Sequence, residues 1–335
     1  TYASRYFGFE KGFSFFEDFL FNESIVKKLF VKGGHITFLL RNIREFLLRQ
    51  GAFKVWESYY DNILNWMDKT TKPFFLWVFL LDTHFPYMTP RKYRKWTNIF
   101  DMYYLNWKLY KVLFENNIEF SEKQRKKIIN AYDNSIYYAD NFLKNLIKDV
   151  TDHDPIIIVH SDHGEAFGER GMYGHSYPYL YEENIHVPLV IWNADIKEKI
   201  RKPTSLLNLY LTIIGLADGK YLNELPLIRN DNKVVLSKDI GWKPAKGINW
   251  KGPDKSYAII MGKWKYIRMI YNNNIKEELY DLGSDPNEQN NLINEHPKLL
   301  KEMRKIVDAR VNYEIEEKKI VSISSKLKYK LLLKL

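Results

Sequence analysis

Short apolar runs that stop abruptly at polar residues punctuate this chain. Phe74 to Leu81 gives way to Asp82-Thr-His84-Phe-Pro86-Tyr87, and Ile156 to Val159 gives way to Ser161-Asp-His-Gly-Glu165. A third run, Val187 to Trp192, follows the polar point Gly174-His175. Unbroken apolar runs of this length are the pattern of strands buried on both faces, as in parallel sheets. Helical spacing appears between them. Arg41 to Lys69 carries Ile43, Phe46, Leu47, Trp56, Tyr59, Tyr60 and Leu64 at that spacing, and Lys72-Pro73 stops it. Ser121 followed by Gln124 is a capping signal, and the helix it opens runs through Tyr132, Asp133, Tyr137, Asp140 and Leu146 to Asp149. Strand, helix and strand in succession predict βαβ units and a parallel sheet. Ligands of such sheets gather beyond the carboxyl ends of the strands, which is where Asp162 and His163 fall.

The texture changes after Trp192. Ser205 to Leu216 reads as a helix, and short strands follow over Lys233 to Ser237, Ser256 to Met261 and Lys263 to Met269, with a tight turn at Met261-Gly262-Lys263. Pro297 to Tyr313 closes the series as a helix with Leu299, Leu300, Met303, Ile306 and Val307 on one face. The expected organisation is an α/β domain over 1–228, a small antiparallel subdomain over 229–320 and a basic tail over 321–335 holding Lys326, Lys328, Lys330 and Lys334.

Composition narrows the picture a little. No apolar run reaches eighteen residues, so no segment reads as membrane-spanning. The chain has no cysteine, which excludes thiolate ligands and cysteine nucleophiles within it and fits a cytosolic or heat-adapted protein. The 51 basic and 41 acidic residues leave a net charge of +10. That excess suits an anionic partner, although a lysine-rich solvated surface accounts for most of it. Lys263, Lys265 and Arg268 are read the same way, and no nucleic-acid module is evident. Asn22-Glu23-Ser24 is a glycosylation sequon of a kind that arises by chance.

The polar points carry the chemistry. A carboxylate beside an imidazole suits a divalent cation. A lone Asp-His-Gly triplet is an ordinary polar turn, but here Glu165, Gly168-Glu169, Gly171 and Gly174-His175 follow it. This series, with Tyr181-Glu-Glu183 and His186-Val-Pro-Leu-Val190, resembles the C-terminal signature of the sulfatase family of the alkaline-phosphatase-like superfamily. Other segments resemble the family in the same order: Asp82-Thr-His84-Phe-Pro-Tyr87, Ala131-Tyr-Asp133 with Tyr138-Ala-Asp140, Trp264-Lys-Tyr-Ile-Arg268, Glu278-Leu-Tyr-Asp-Leu282 and Asp285-Pro286. Where the family has a Pro-Thr pair, Leu211-Thr212 stands here.

The resemblance implies a mainly parallel mixed sheet flanked by helices, with a small antiparallel C-terminal subdomain. It implies metal-dependent cleavage of a sulfate ester on a sugar or similar anion. Phosphodiester or phosphonate hydrolysis, phosphotransfer, and an inactive anion- or glycan-binding relative are the alternatives. By matching position Asp162 and His163 are the metal ligands, calcium first and manganese second. His84 hydrogen-bonds the anion or protonates the leaving oxygen, His175 contacts the anion, its leaving group or a second metal, and Asp82 is a weaker candidate for a second metal. No counterpart of the family's first motif, with its formylglycine or hydroxyl nucleophile, is found, so the sequence is read as a segment lacking it and inactive alone.

Overall fold

The computed structural model describes residues 5, 8–18, 55–71, 73–115, 119–175, 179–194, 199–219, 225–229, 234–240, 252–272 and 274–332. Ile43, Phe46, Leu47, the sequon at Asn22 and Lys233 lie outside the described residues. Two compact units divide the chain: Thr1–Pro155 with Phe167–Gly174, and Ile156–Ala166 with His175–Leu335.

The first unit is built on helices. α1 spans Tyr60–Lys69, α2 Ile99–Glu115 and α3 Glu122–Asp149. The capping box expected at α3 is formed: Gln124 N donates to Ser121 Oγ at 3.3 Å, and Ser121 N donates to Gln124 Oε1 at 3.1 Å. Leu105, Leu109 and Leu113, spaced by four on α2, meet Ile128 and Ala131 of α3, with Tyr87 and Phe167 completing the cluster. Four-residue spacing puts these side chains on one stripe. Helix α2 was not foreseen because its aromatic residues lie on both faces; Phe100, Tyr104 and Trp107 are exposed opposite the leucines. Buried Asn106 ties the extended chain to α2. Its Oδ1 accepts from Tyr87 N at 2.7 Å, and its Nδ2 donates to Tyr87 O at 3.0 Å and Met102 O at 2.7 Å. The strand expected over Phe74 to Leu81 joins no sheet among the described residues. Its Phe75 and Trp77 rings instead stack on Phe13.

In the second unit β1, Ile157–His160, pairs with β2, Leu189–Trp192, and the pairing is antiparallel, with Ile157 opposite Trp192 and His160 opposite Leu189. Both runs were expected in a mixed, mainly parallel sheet; against each other they run antiparallel. A parallel connection needs a crossover of a dozen or more residues, usually a helix, and the helix that immediately precedes β2, α4 (Glu182–Ile185), is only a turn long. Nor are the runs buried on both faces: Val190 is 56% and Trp192 38% exposed. Helix α5 occupies Leu207–Ala217, close to its expected place.

A four-stranded antiparallel meander follows: β3 Val235–Ile240, β4 Lys255–Met261, β5 Trp264–Tyr271 and β6 Asn274–Asp281, in that order. Gly262, at φ 61°, makes the expected tight turn between β4 and β5. Tyr257, Ile259, Tyr266 and Leu279 cluster with Leu300, Met303 and Val307 of α6 (Pro297–Leu332). The other face carries Ala258, Lys265, Ile267, Met269, Glu278 and Tyr280, also buried. Strand β6 was missed because its first half is polar and exposed. Helix α6 runs through Leu332, into the stretch expected to be a basic tail; Ile, Leu and Lys without Gly or Pro sustain a helix. Met303 has no exposed surface and sits mid-cluster, so Met303→Ala should cost about 2–5 kcal/mol by the cavity it leaves, measurable by urea denaturation.

Candidate functional site

Four of the chemistry-bearing side chains converge in the second unit. His163 follows Asp162 in the loop just past β1, and its backbone N donates to Asp162 Oδ1 at 3.1 Å. The His163 ring is turned so that Nδ1 lies 2.8 Å from Gly164 O. A carbonyl only accepts, so Nδ1 carries the proton and the ring's lone pair belongs to Nε2. That nitrogen lies 3.8 Å from Asp162 Oδ1. Two atoms bound to one divalent cation at about 2.0–2.6 Å lie roughly 3–4 Å apart. The pair therefore fits part of a cation's shell, with the Gly164 carbonyl as the outer partner that orients the imidazole. Asp162 is largely exposed, at 63% of its side chain. Among the described residues no group of three or more His, Asp or Glu side chains forms a fuller set.

The His175 ring lies against that of His163, with centroids 3.9 Å apart and planes tilted by 33°. Its Nδ1 lies 3.0 Å from Glu165 Oε1, and that carboxylate is only 4% exposed. Glu165 appeared in the sequence only as part of a motif, and its role as the partner of His175 was not foreseen; the signal was a carboxylate ten residues before a histidine in a glycine-rich loop. Burial opposes a charge on His175, but the Glu165 hydrogen bond and charge, with Asp162 and Asp239 behind, hold its pKa above the ordinary 6.5.

The loop backbone is pressed against α4. Gly164 N donates to Asn184 O at 2.8 Å. A Cβ at Gly164 would lie 2.1 Å from Glu183 O, so no side chain fits there.

His84 belongs to the first unit. Its Nδ1 lies 2.6 Å from Phe85 O, so here too Nε2 is the nitrogen with the lone pair. Asp82 nearby has its pKa pushed up to about 7, by burial and then by the charge of Glu57. Glu169, also in the first unit, proves structural: it accepts from Phe167 N at 2.6 Å and from Arg125 Nη2 at 2.7 Å. Lys265 and Arg268, expected at a solvated surface, are buried instead. Lys265 pairs with Glu182 and Glu288, and Arg268 with Asp308 of α6.

The structure is similar to the crystal structure of the phosphonate monoester hydrolase of Agrobacterium radiobacter, with a TM-score of 0.57, 18% identity, and coverage of 75% of this chain and 59% of that one. The fold is the mixed α/β fold of the alkaline-phosphatase-like sulfatases, with its small C-terminal antiparallel sheet. The family profile described as Sulfatase matches residues 7–219, and the chain belongs to the sulfatase family. In sequence it is 27% identical to arylsulfatase K of Gallus gallus over 217 residues, covering 58% of this chain and 39% of that protein. It is 33% identical to the phosphoethanolamine transferase EptA of Salmonella typhimurium over 117 residues, 29% of this chain and 21% of that protein. The chain spans about half the length, or less, of the curated relatives it matches.

Two predictions follow the charges. The raised pKa of His175 means its charged form stabilises the folded state fully below pH 6.5, and that contribution fades as pH rises through the folded value. Glu165→Gln should lower the His175 pKa in an NMR titration and shrink this pH dependence of stability. Asp82 shifts stability in the same direction, but as a cost of its charged form: its folded pKa of about 7 against an ordinary 3.8 makes it a liability as pH rises from 4 to 8. Asp82→Asn should therefore raise stability in urea titrations at pH 8 and change it little at pH 3.

Proposed function

We propose that the protein hydrolyses sulfuric esters, with a sulfated sugar or similar anion as substrate class, and that it depends on a divalent cation held by Asp162 and His163. The observation that carries this is the facing of Asp162 Oδ1 and His163 Nε2 across 3.8 Å, with the imidazole tautomer fixed by Gly164 O. Membership of the sulfatase family supports the reaction class. When bound, the cation supplies Lewis acidity at a sulfuryl oxygen.

His175, whose protonated form is favoured by the Glu165 hydrogen bond and charge, binds the ester's anionic oxygens. A positive charge held on a buried partner is ready where negative charge grows in the transition state. His84, protonated at Nε2 before the ester bond breaks, delivers that proton to the leaving oxygen and is left neutral, a task for a group whose ordinary pKa lies near neutrality. The Phe85 carbonyl keeps its Nδ1 occupied, so the proton is exchanged at Nε2. Calcium is the first choice of cation, on the family resemblance, and manganese, towards which a nitrogen ligand leans, the second.

A second reading, phosphoryl transfer or phosphodiester hydrolysis, is supported by the 33% identity over 117 residues to a phosphoethanolamine transferase. An aryl sulfate and a bis-aryl phosphate, assayed side by side in the whole protein that carries this chain, separate the two. The sulfuryl reading requires the aryl sulfate to be the better substrate. Asp162→Ala should weaken calcium or manganese binding at least tenfold by calorimetry and abolish turnover. Cation affinity and turnover that both survive Asp162→Ala would defeat the assignment.

A further inference from the structure

Behind the loop that carries His163 stands a lysine with no exposed side-chain surface. Lys265, on β5, places its Nζ 2.8 Å from Glu182 Oε1 and 2.8 Å from Glu288 Oε1. Glu288 is itself fully buried, and its second oxygen, Oε2, accepts from Glu182 N at 2.7 Å. The two carboxylates and the ammonium close a ring around the first residue of α4. Burial pushes the Glu288 carboxyl up while Lys265 and the Glu182 N–H pull it down. One residue earlier, Tyr181 OH donates to Glu278 Oε2 at 2.7 Å, and Tyr280 OH reaches the same oxygen at 3.0 Å. Lys265, Glu278 and Tyr280 project from one face of the sheet. The meander thus grips Tyr181 and Glu182 from below.

What α4 does with that grip lies one and two residues past Glu182. Asn184 O accepts from Gly164 N at 2.8 Å, and Glu183 O sits where a Gly164 side chain would begin. Gly164 O in turn orients the His163 ring at 2.8 Å. A continuous set of polar contacts therefore runs from Lys265 through Glu182, α4 and Gly164 to the imidazole. A buried charge cannot drift within its site without losing its partners, because the interior offers no water to replace them. Such a charge fixes position more sharply than an apolar contact of the same area.

We propose that Lys265 is a positioning residue for His163, and that the C-terminal sheet sets the cation site through the ring of Lys265, Glu182 and Glu288. This rests on the reading of Asp162 and His163 as the cation site. It adds that the subdomain is part of the site's construction, although none of its residues touches the ion.

The test uses the full chain, with Mn²⁺ as the probe. Lys265→Met and, separately, Glu288→Gln are compared with the unaltered chain in two measurements. Calorimetry gives Mn²⁺ affinity, and long-range ¹H–¹⁵N NMR correlations give the His163 tautomer without metal. Each substitution should weaken Mn²⁺ binding about threefold or more, short of the roughly 10- to 100-fold that loss of a ligand's direct outer partner costs. Each should also replace the single Nδ1–H tautomer of His163 with a mixture, while cooperative unfolding is retained. Glu288→Gln keeps an oxygen that can accept from Glu182 N–H, so it remains informative if Lys265→Met fails to fold. Lys263→Met, which removes a pair with Asp281 and a contact with the Trp264 ring, both outside the ring of Lys265, Glu182 and Glu288, should change neither measurement. Folded variants with unaltered affinity and an unaltered tautomer would overturn the proposal. Failure of the underlying site reading looks different: Asp162→Ala then leaves Mn²⁺ affinity intact, and the tautomer measurement alone decides whether Lys265 orients the ring.

Discussion

Gly164 and Glu183 approach so closely that a single added carbon would collide with a carbonyl oxygen. The contact follows from strand direction. Because β1 and β2 run antiparallel, with His160 opposite Leu189, the segment leaving β1 and the segment entering β2 emerge at the same end of the pair. Residues 161–165 and 182–186 are therefore neighbours, and the hydrogen bond from Gly164 N to Asn184 O closes them on each other. A parallel pairing would have carried residues 182–186 to the opposite end and left the His163 loop without a floor. The orientation of the imidazole, its distance from Asp162 and its contact with the His175 ring all depend on that floor being rigid.

Charge is distributed with the same economy. A net charge of +10 invites the idea of a broad anion-binding surface, yet several of the cations work inside the protein. Lys265 serves Glu182 and Glu288, Arg268 serves Asp308, and Arg125 serves Glu169. Pairing and desolvation compete at each of these sites, and the outcome differs. Glu314 collects Lys238, Lys255 and Tyr257, and they overcome its burial to hold its pKa down at about 2. Glu288 has one lysine and one backbone N–H, and burial prevails. The number of donors reaching a buried carboxylate decides which effect wins.

The parts of the fold legible from sequence were those whose signals are local. The Ser121 capping box, the helix it begins, the Gly262 turn and the two short strands around it depend on near neighbours, and all form as read. Strand direction is not local. An apolar run such as Ile156 to Val159 looks the same whether its partner runs parallel or antiparallel, and only the connection between the runs distinguishes them. Lys265 shows the converse difficulty. A lysine in a Trp-Lys-Tyr stretch reads as a surface residue, because its two carboxylate partners lie 83 and 23 residues away along the chain. The pairing of Asp162 with His163 was visible because the residues are adjacent. That of Glu165 with His175 was hidden by the ten-residue excursion between them.

The three histidines have a shared construction that sharpens the chemical reading. His84 and His163 each give Nδ1 to the carbonyl of the next residue, and His175 gives Nδ1 to a buried carboxylate. In every case the nitrogen nearer the backbone is committed to holding the ring, which assigns the chemistry to Nε2. The difference lies in the acceptor. A carbonyl fixes the neutral tautomer and leaves a lone pair for a cation or a proton, as a ligand or an acid–base group requires. A carboxylate favours the imidazolium, as an anion-binding group requires. The same side chain is thus set to two tasks by what its Nδ1 touches, and the division matches the roles proposed for His84 and His163 on one side and His175 on the other.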